Sequence, residues 1–322
     1  MQAFRAPGWL PGGHLQTIWA ARLSRRVAGA APTWRRERWD TPDGDFIDVD
    51  FVDGPPGAPM LVLFHGLEGS RDSHYSQAFA DAARAAGWAM ALPHFRGCSG
   101  ELNRAPRAYH SGDHEEVGWI LGRLRTRVDR PLRAAGVSLG GNALMRWAEE
   151  MGAAAAPIVA AVAAICSPLD LTAAGHAIGR PVVNRQVYTR MFLSTMKPKA
   201  LAKWHQHPGL FDRERMLAAR TLAEFDDVFT APLHGFRDTA DYWLRASAKP
   251  HLRRVRIPAL LLNACNDPFV PADSLPRPSE VAEGVTLWQP PHGGHVGFPV
   301  GRWPGFVGHM PARVLAWLAA QA

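Results

Sequence analysis

Leu132-Arg-Ala-Ala-Gly136-Val-Ser138-Leu-Gly140 forms the centre of the predicted fold. The apolar run 132–137 predicts a buried strand, and the pattern Asn-Ala-Leu-Met-Arg-Trp-Ala-Glu from Asn142 predicts a helix. The glycines at 136 and 140 match the G-x-S-x-G nucleophile elbow, a sharp turn in which a Cβ would crowd the strand or the helix. The context predicts that Ser138 is an exposed nucleophile rather than part of a plain glycine turn.

Strands and helices alternate on both sides of this unit. Apolar runs typical of buried strands lie at 60–64, 88–92, 158–167, 257–263 and 285–289, and helical patterns lie at 75–86, 115–124 and 311–320. Such alternation predicts right-handed βαβ crossovers and an α/β fold with a mostly parallel, doubly wound sheet of about eight strands. Two period-2 segments, 33–39 and 46–51, predict an antiparallel hairpin at one edge of this sheet.

The alternation stops after residue 168. From there to about residue 251 the sequence has helical and loop-like patterns and no run typical of a buried strand. We expect a mainly helical cap at 169–251, inserted into a core formed by 1–168 and 252–322. The large cap side chains line an acyl pocket or, as the default, form the cap's own core; they include Trp204, Met191, Met196 and Trp243.

Composition and charge exclude several classes of protein. With 47% hydrophobic and 20% charged residues, the 322-residue chain has the composition of a folded globular protein. The net charge of +7 comes from scattered Lys and Arg residues without an aromatic-interleaved basic motif, which argues against nucleic-acid binding. Cys98, Cys166 and Cys265 have no close spacing, which argues against a disulfide framework or a zinc site and favours a reducing compartment.

The chain contains no targeting or membrane-spanning pattern. Its first residues lack the apolar core of a signal peptide, and the most apolar stretch, 152–166, is shorter than the ~20 residues of a spanning helix. We therefore expect a cytoplasmic protein without a transmembrane segment. Peripheral membrane contact stays open, and the sequence does not define the oligomeric state.

A serine nucleophile requires a base, and the base requires an acid that orients it. In the order that accompanies this elbow, the acid and then the histidine follow the serine, on loops after later strands. Asp267 follows the predicted strand at 259–263, and His295 follows the predicted strand at 285–289. We predict that Ser138, Asp267 and His295 are the catalytic residues.

Each of these two partners has a rival nearby. Asp273 lies farther from the strand end and could cap a short helix from Ser274, and Asp267 itself could be an ordinary turn residue. His292 lies three residues before His295, but two glycines separate them and no third ligand cluster suggests a metal. We prefer His295, because the glycines give a flexible turn ahead of it.

The negative charge that develops in acyl transfer requires preorganised N–H donors. One donor is the amide of Leu139, the residue after the serine. The other is expected in the loop His65-Gly-Leu-Glu-Gly69, where Gly66 allows the Leu67 amide to turn toward the serine. His65 itself is interpreted as a structural histidine.

Two other patterns carry little weight. The glycine-rich run Pro93–Gly100 lacks the spacing of a phosphate-binding loop and is interpreted as a shaped loop, in which Cys98 is structural. His207 and Asp212 match the H-x-x-x-x-D spacing of glycerolipid acyltransferases, but such a match arises often by chance among 14 histidines.

Taken together, the motifs resemble the YheT-like branch of the α/β-hydrolases, whose relatives include eukaryotic acylglycerol and phospholipid hydrolases. The resemblance spans nearly the whole chain. It is carried by His14-Leu-Gln-Thr17, His65-Gly-Leu-Glu-Gly69, His94-Phe-Arg-Gly-Cys-Ser-Gly-Glu101, Tyr109-His-Ser-Gly112, Gly136-Val-Ser-Leu-Gly-Gly-Asn142, Phe225-Asp-Asp-Val-Phe-Thr230, His234-Gly-Phe236, Asn266-Asp-Pro-Phe269 and Gly293-Gly-His-Val-Gly-Phe298.

The resemblance implies an α/β-hydrolase fold, ester hydrolysis and no cofactor, and it gives Ser138, Asp267 and His295 the roles inferred above. The eukaryotic relatives carry an N-terminal membrane anchor, and we expect none in this protein. The expected function is that of a serine carboxylesterase acting on short- to medium-chain acyl esters or monoacylglycerol-like lipids. Acyl transfer by the same three residues and a non-catalytic module that binds an apolar ligand are the alternatives.

Overall fold

The structure, a computed structural model, describes residues 4–321. Within this range eight strands form one sheet in the order β1-β2-β4-β3-β5-β6-β7-β8. They are β1 Arg35–Asp40, β2 Phe46–Val52, β3 Met60–Phe64, β4 Ala89–Pro93, β5 Leu132–Val137, β6 Val159–Ile165, β7 Ala259–Leu262 and β8 Val285–Trp288. β2 pairs antiparallel with β1 and β4, and the strands from β4 to β8 are parallel neighbours. The predicted α/β class with a mostly parallel sheet is confirmed.

Helices cover both faces of the sheet and fill the segment between β6 and β7. They are α1 Gly13–Arg22, α2 His74–Ala85, α3 His114–Arg125, α4 Leu139–Met151, α5 Leu171–Gly179, α6 Val182–Asn184, α7 Arg190–Gln206, α8 Arg213–Ala218, α9 Leu222–Phe225, α10 Ala231–Leu233, α11 Thr239–Ala246 and α12 His309–Ala319. π-helical turns join α6 to α7 at Arg185–Thr189 and α9 to α10 at Asp226–Thr230. Short 3₁₀ helices occupy Gly152–Ala155, Lys249–Arg254, Ala272–Ser274 and Pro278–Glu280.

Side chains that alternate along the strands pack on opposite faces of the sheet. On one face, Val62 and Phe64 of β3 pack in the same cluster as residues of α3 and α4. On the other face, Leu61 and Leu63 of the same strand pack with residues of α2 and α12. This alternation buries every strand from β3 to β6 between two helical layers, which explains why those strands have continuous apolar sequences.

The N-terminal hairpin buries polar side chains. β1 is the edge strand, and β2 is fully buried although it contains Asp48 and Asp50. Arg36 and Arg38 of β1 lie opposite these two carboxylates, and each pair is bidentate, with N–O distances of 2.7 to 2.9 Å. The ion pairs with the edge strand β1 therefore explain how the polar residues in the period-2 pattern of β2 can be buried.

The segment between β6 and β7 contains α5 to α11 and packs around apolar clusters of its own. One cluster includes Leu193, Met216, Phe225 and Phe229, and another joins Leu171 to residues of α11. These helices occupy the range in which the sequence predicts a cap, although the division of the chain into domains stays a prediction. None of the helices in the described range is long and apolar enough to cross a bilayer.

Candidate active site

Ser138 lies in the sharp turn between β5 and α4. Its φ of 52° and ψ of −121° are unusual for a residue with a Cβ, so the surrounding structure must hold this turn in place. A Cβ on Gly140 would lie 2.6 Å from the backbone oxygen of Phe64, and one on Gly136 would lie 2.5 Å from the Cα of Gly141. The two glycines of the motif therefore permit the close contact between β5, β3 and α4 on which the elbow depends.

The structure brings together the three residues predicted as nucleophile, base and acid. Nδ1 of His295 donates to Oδ2 of Asp267 at 2.8 Å, and Nε2 of His295 lies 3.0 Å from Oγ of Ser138. Asp267 is buried in the turn after β7, where its Oδ1 accepts hydrogen bonds from the amides of Phe269 and Val270. These hydrogen bonds from backbone amides hold the carboxylate so that its second oxygen faces the imidazole.

The sequence rivals of these residues lie elsewhere. Asp273 is exposed in the 3₁₀ turn Ala272–Ser274, and His292 is exposed on the loop ahead of His295. Cys166 lies close to His295 and Asp267, but burial holds the pKa of its thiol well above the usual range. The protonated thiol donates to the Gly294 oxygen and accepts from the Val296 amide, so it supports the loop that carries His295.

The loop that carries His295 has an unusual backbone. Gly294, Val296 and Phe298 all have φ between 49° and 61°, a region that residues with a Cβ rarely occupy. For Val296 and Phe298, which have a Cβ, this conformation costs on the order of 1 to 3 kcal/mol each and persists only where neighbouring groups hold it. The contacts that hold this loop therefore matter for the position of the imidazole.

Helix α1 supplies those contacts. Oγ1 of Thr17 accepts a hydrogen bond from the amide of His295 at 2.8 Å, and Oε1 of Gln16 accepts one from the amide of Gly293 at 2.9 Å. Nδ2 of Asn266, the neighbour of Asp267, donates to the same Gln16 oxygen at 3.0 Å. Gln16 thus joins the loop that carries Asp267 to the loop that carries His295. The sequence signal for this role was the His14–Thr17 motif, to which no function could be given from sequence.

The two predicted oxyanion donors flank the serine. Leu139 is the first residue of α4, and a Cβ on Gly66 would lie 3.2 Å from the Cβ of Ser138, so the Leu67 loop passes directly beside the nucleophile. The amides on either side of Leu67 are anchored to tyrosine hydroxyls: Gly66 donates to Tyr75 and Glu68 donates to Tyr109. These bonds fix the orientation of the intervening Leu67 peptide.

His65 organises the start of this loop. Its Nδ1 donates to the Gly66 oxygen at 2.8 Å, and its Nε2 accepts from the Phe95 amide at 3.0 Å. Burial lowers the pKa of His65 to about 3, so the ring is neutral. Both nitrogens are used in structural contacts, which agrees with the structural role expected for this histidine.

Glu68 connects the loop 65–69 to helix α7. Oε2 of Glu68 lies 2.8 Å from Nζ of Lys199 on α7, and Oε1 accepts a hydrogen bond from the Tyr109 hydroxyl at 2.9 Å. Glu68 also has a left-handed backbone conformation, with φ of 57°. The ion pair therefore links the position of α7 to a strained residue next to Leu67.

A cavity of about 140 Å³ contains Ser138 and His295 in its wall. Its remaining lining is mainly apolar and includes Leu67, Ile178, Phe192, Met196, Phe225, Phe229 and Trp243. Met196 and Trp243 line the cavity and also pack in the apolar clusters of this helical segment, so both interpretations given from sequence apply to them. Met191 is exposed, and Trp204 packs against the cluster that includes Leu193 and Met216.

Asp226 is a polar cavity residue that sequence reasoning missed. It begins the π-helical turn Asp226–Thr230, where its carboxylate accepts hydrogen bonds from the Thr230 hydroxyl at 2.7 Å and the Trp243 indole at 3.0 Å. Burial raises the pKa of Asp226 to about 6. The motif Phe225-Asp-Asp-Val-Phe-Thr230 was its only sequence signal, and π turns of this kind occur frequently at functional sites.

The family model described as alpha/beta hydrolase fold matches residues 59–301. The chain belongs to this family, and the predicted YheT-like branch is confirmed. The Escherichia coli (strain K12) protein named "Putative esterase YheT" is 39% identical over 88% of this chain and 84% of its own length. "Phospholipase ABHD3" of Mus musculus is 29% identical over 84% of this chain and 68% of its own length.

A solved structure supports the fold independently. The esterase Pf2001 of Pyrococcus furiosus superposes with a TM-score of 0.57, covering 93% of this chain and 99% of that chain. Because the two sequences are 15% identical, this likeness concerns the fold alone.

Proposed function

We propose that this α/β-hydrolase is a serine esterase in which Ser138 is the nucleophile, His295 the general base and Asp267 the acid that orients it. The observation that carries the proposal is the hydrogen-bonded series from Asp267 through His295 to Ser138 in the wall of an apolar cavity. The chain is a carboxylic ester hydrolase, in agreement with relatives named as an esterase and a phospholipase.

The proposed reaction begins when His295 Nε2 takes the proton of the Ser138 hydroxyl as the oxygen attacks the ester carbonyl. The amides of Leu67 and Leu139 donate to the oxyanion, and Asp267 stabilises the imidazolium. Collapse of the tetrahedral intermediate transfers the His295 proton to the leaving alcohol and leaves an acyl-serine. A water molecule, deprotonated by His295, then attacks the acyl-serine, and release of the acid returns the proton to Ser138.

The cavity suggests the size of the acyl group. Its volume of about 140 Å³ is close to that of an apolar cavity of about 150 Å³ that binds benzene. An acyl chain of about the six carbons of benzene fits this space, and the apolar lining replaces water around the chain. We therefore propose short- to medium-chain acyl esters, including monoacylglycerol-like lipids, as substrates.

Substitution of Ser138 tests the proposal. Ser138→Ala is expected to lower kcat for p-nitrophenyl butyrate by roughly 10⁴-fold or more and to abolish labelling by a fluorophosphonate probe. Asp273→Asn and His292→Gln, at the two rival positions, serve as controls that keep both signals. Retention of activity by folded Ser138→Ala, or its loss in either control, would contradict the assignment.

A product assay then separates the remaining alternatives. With glycerol added as an acceptor, hydrolysis predicts free acid as the main product, whereas acyl transfer predicts a glycerol ester. Folded wild-type protein that neither turns over the ester nor reacts with the probe would instead be a non-catalytic module that binds an apolar ligand.

A further inference from the structure

The outer surface of the cavity-forming helices exposes a group of large apolar side chains. Val182, Val183, Val187 and Met191 have exposed fractions of 66%, 56%, 43% and 41%. All four lie within ten residues on the continuous helical stretch formed by α6, its π turn and α7. Single exposed apolar residues are common, but a contiguous group of this kind marks an interaction surface. We call these four residues the α6–α7 patch.

The charge around this patch has one sign. Between residues 171 and 211 the sequence contains six Lys and Arg residues and no Asp or Glu. Three of the cations, Arg180, Arg185 and Arg190, are exposed beside the patch. Among the described residues, none of these three arginines forms an ion pair with a carboxylate. The patch therefore combines exposed apolar side chains with guanidinium groups that are available to a partner.

The inner side of the same helical stretch reaches the active site. Phe192 and Met196 line the cavity that contains Ser138. Tyr188, which is buried between the exposed positions, packs against Phe269 with ring centroids 4.5 Å apart, and Phe269 packs against His295 at 4.2 Å. The α6–α7 patch is therefore the outer face of a wall whose inner face contacts the proposed base.

Helix α1 extends this surface. Its His14 lies 3.1 Å from the Tyr188 hydroxyl, which places α1 beside the π turn. Leu15 and Ile18, on the exposed face of α1, add two apolar side chains with exposed fractions of 50% and 41%.

We propose that the α6–α7 patch docks the protein onto the surface of an anionic phospholipid bilayer. The valines and Met191 enter the boundary between headgroups and acyl chains, while the three arginines bind lipid phosphates. Exposed apolar side chains gain free energy when they enter the boundary between headgroups and acyl chains, and each Arg near an anionic surface adds about 1 kcal/mol. Nucleic acid would use the arginines but gain nothing from exposed valines, whereas an anionic bilayer offers both phosphates and hydrocarbon.

This surface is independent of the proposed catalytic roles, but its position gives it a consequence for them. Docking would place the wall of the acyl cavity against the bilayer, where lipid esters are concentrated. The protein then acts peripherally, which agrees with the lack of a helix suited to spanning a membrane in the described range.

Vesicle binding tests the proposal with the full-length protein. The wild type is expected to sediment with phosphatidylcholine vesicles that contain phosphatidylglycerol, and to remain in solution with vesicles of phosphatidylcholine alone. Arg185→Gln combined with Arg190→Gln is expected to weaken binding to the anionic vesicles by roughly tenfold at low salt. Val182→Ser combined with Val187→Ser is expected to weaken it by a similar factor because less apolar surface is buried.

Matched controls separate docking from general effects. Leu244→Ser removes an apolar side chain that is also 66% exposed but lies on α11, and Arg130→Gln removes an exposed arginine from the loop before β5. Both controls should bind the vesicles like the wild type. All variants should hydrolyse soluble p-nitrophenyl butyrate within about twofold of the wild type, because the substituted side chains point away from the cavity.

Three outcomes would overturn the docking proposal. The wild type could fail to bind the anionic vesicles, or the valine variant could bind them as well as the wild type. Alternatively, double-stranded DNA could compete fully for binding that depends on the arginines alone, which would make the patch a general polyanion site. Soluble-ester turnover reports on the catalytic proposal separately, so failure of one does not imply failure of the other.

Discussion

His295 depends on a residue 278 positions earlier in the chain. The hydroxyl of Thr17 accepts the backbone hydrogen bond of His295 and donates its own proton to the Gly13 oxygen at 2.7 Å. It is therefore oriented on both sides, and it holds a loop in which Val296 and Phe298 have left-handed backbones. We infer that Thr17 is a positioning residue, which acts through the imidazole without touching the substrate.

Substitutions of Thr17 separate this role from general stability. Thr17→Val keeps the size of the side chain but removes the hydroxyl, so kcat for a soluble ester should fall roughly 10- to 100-fold as the imidazole shifts, with KM little changed. Thr17→Ser retains the hydroxyl and should restore kcat to within about threefold of the wild type. Steady-state kinetics measures both.

A neighbour on α1 provides the control for Thr17. Ile18 is exposed, so Ile18→Ser should leave kcat for the soluble ester unchanged. If Thr17→Val raised KM alone, or if Thr17→Ser were as slow as Thr17→Val, the hydroxyl would not position the base.

His65 predicts a pH dependence of stability. Its pKa falls from 6.5 in the unfolded chain to about 3 in the folded protein, mainly because the ring is buried. As the pH falls below 6.5, the unfolded chain takes up a proton that the folded protein excludes, so the contribution of His65 to stability is lost with falling pH. The loss amounts to about 1.4 kcal/mol per pH unit.

The comparison of wild type with His65→Gln isolates this contribution. At pH 7.5 the variant should be less stable by roughly 2 kcal/mol, because both imidazole hydrogen bonds are lost. Since glutamine does not titrate, the advantage of the wild type should shrink by roughly 2 kcal/mol between pH 6.5 and pH 5. Urea unfolding at each pH measures the difference, and a constant difference would show that His65 titrates normally in the folded protein.

At the scale of elements, the elbow could be predicted from a local sequence pattern, whereas helix α1 could not. The β5 strand, the turn and α4 follow from the apolar run and the two glycines, and β5 has the predicted bounds Leu132–Val137. Helix α1 was not predicted, because it buries polar and small side chains and exposes apolar ones, the reverse of the usual amphipathic helix. Gln16, Thr17 and Ala20 are its buried residues, whereas the apolar Leu15 and Ile18 are exposed.

Alanine substitution of Gly140 tests how the elbow is packed, and alanine substitution of Gly122 in α3 is the control. A Cβ on Gly140 would contact the backbone oxygens of Phe64 and His65, so Gly140→Ala should lower the free energy of unfolding by roughly 3 kcal/mol and abolish ester turnover. Gly122, in the interior of α3, has no atom within 4 Å of an added Cβ. Gly122→Ala should therefore stabilise the protein by about 0.5 to 1 kcal/mol.

Chemical denaturation and p-nitrophenyl butyrate kinetics measure the two glycine variants together. Stability of Gly140→Ala equal to that of the wild type would mean that β3 and α4 can separate without cost. Destabilisation by Gly122→Ala would mean that α3 does not have its observed environment.

At the scale of the whole molecule, the proposed acyl cavity lies where loops at the ends of β3 and β5 meet helices of the segment between β6 and β7. Leu67 and Ser138 come from loops after β3 and β5, whereas Phe192 and Trp243 come from helices α7 and α11. No single element forms the cavity, so acyl-chain preference is a property of the assembled fold.

Phe192→Ala is expected to shift the substrate preference toward longer chains. Removing the ring enlarges the cavity, so the ratio of kcat/KM for the octanoate ester to that for the butyrate ester should rise roughly tenfold. The adjacent Leu193 is buried in the cluster that includes Met216 and does not line the cavity. Leu193→Ala should cost roughly 2 to 5 kcal/mol of stability without changing that ratio, and an equal shift in both variants would contradict the assigned cavity wall.

The sequence by itself determined the α/β class and the approximate positions of the eight strands and of helices α2, α3, α4 and α12, and it predicted Ser138, Asp267 and His295 as site residues. These features could be predicted because buried strands have continuous apolar runs, and because site residues follow directly after the carboxyl ends of parallel strands. Only the tertiary structure decided the role of Gln16 and Thr17, the place of Asp226 and Trp243 in the cavity wall, and the exposure of the α6–α7 patch. These features depend on contacts between segments far apart in sequence, such as the 277 positions between Gln16 and Gly293, and such contacts leave no local periodicity.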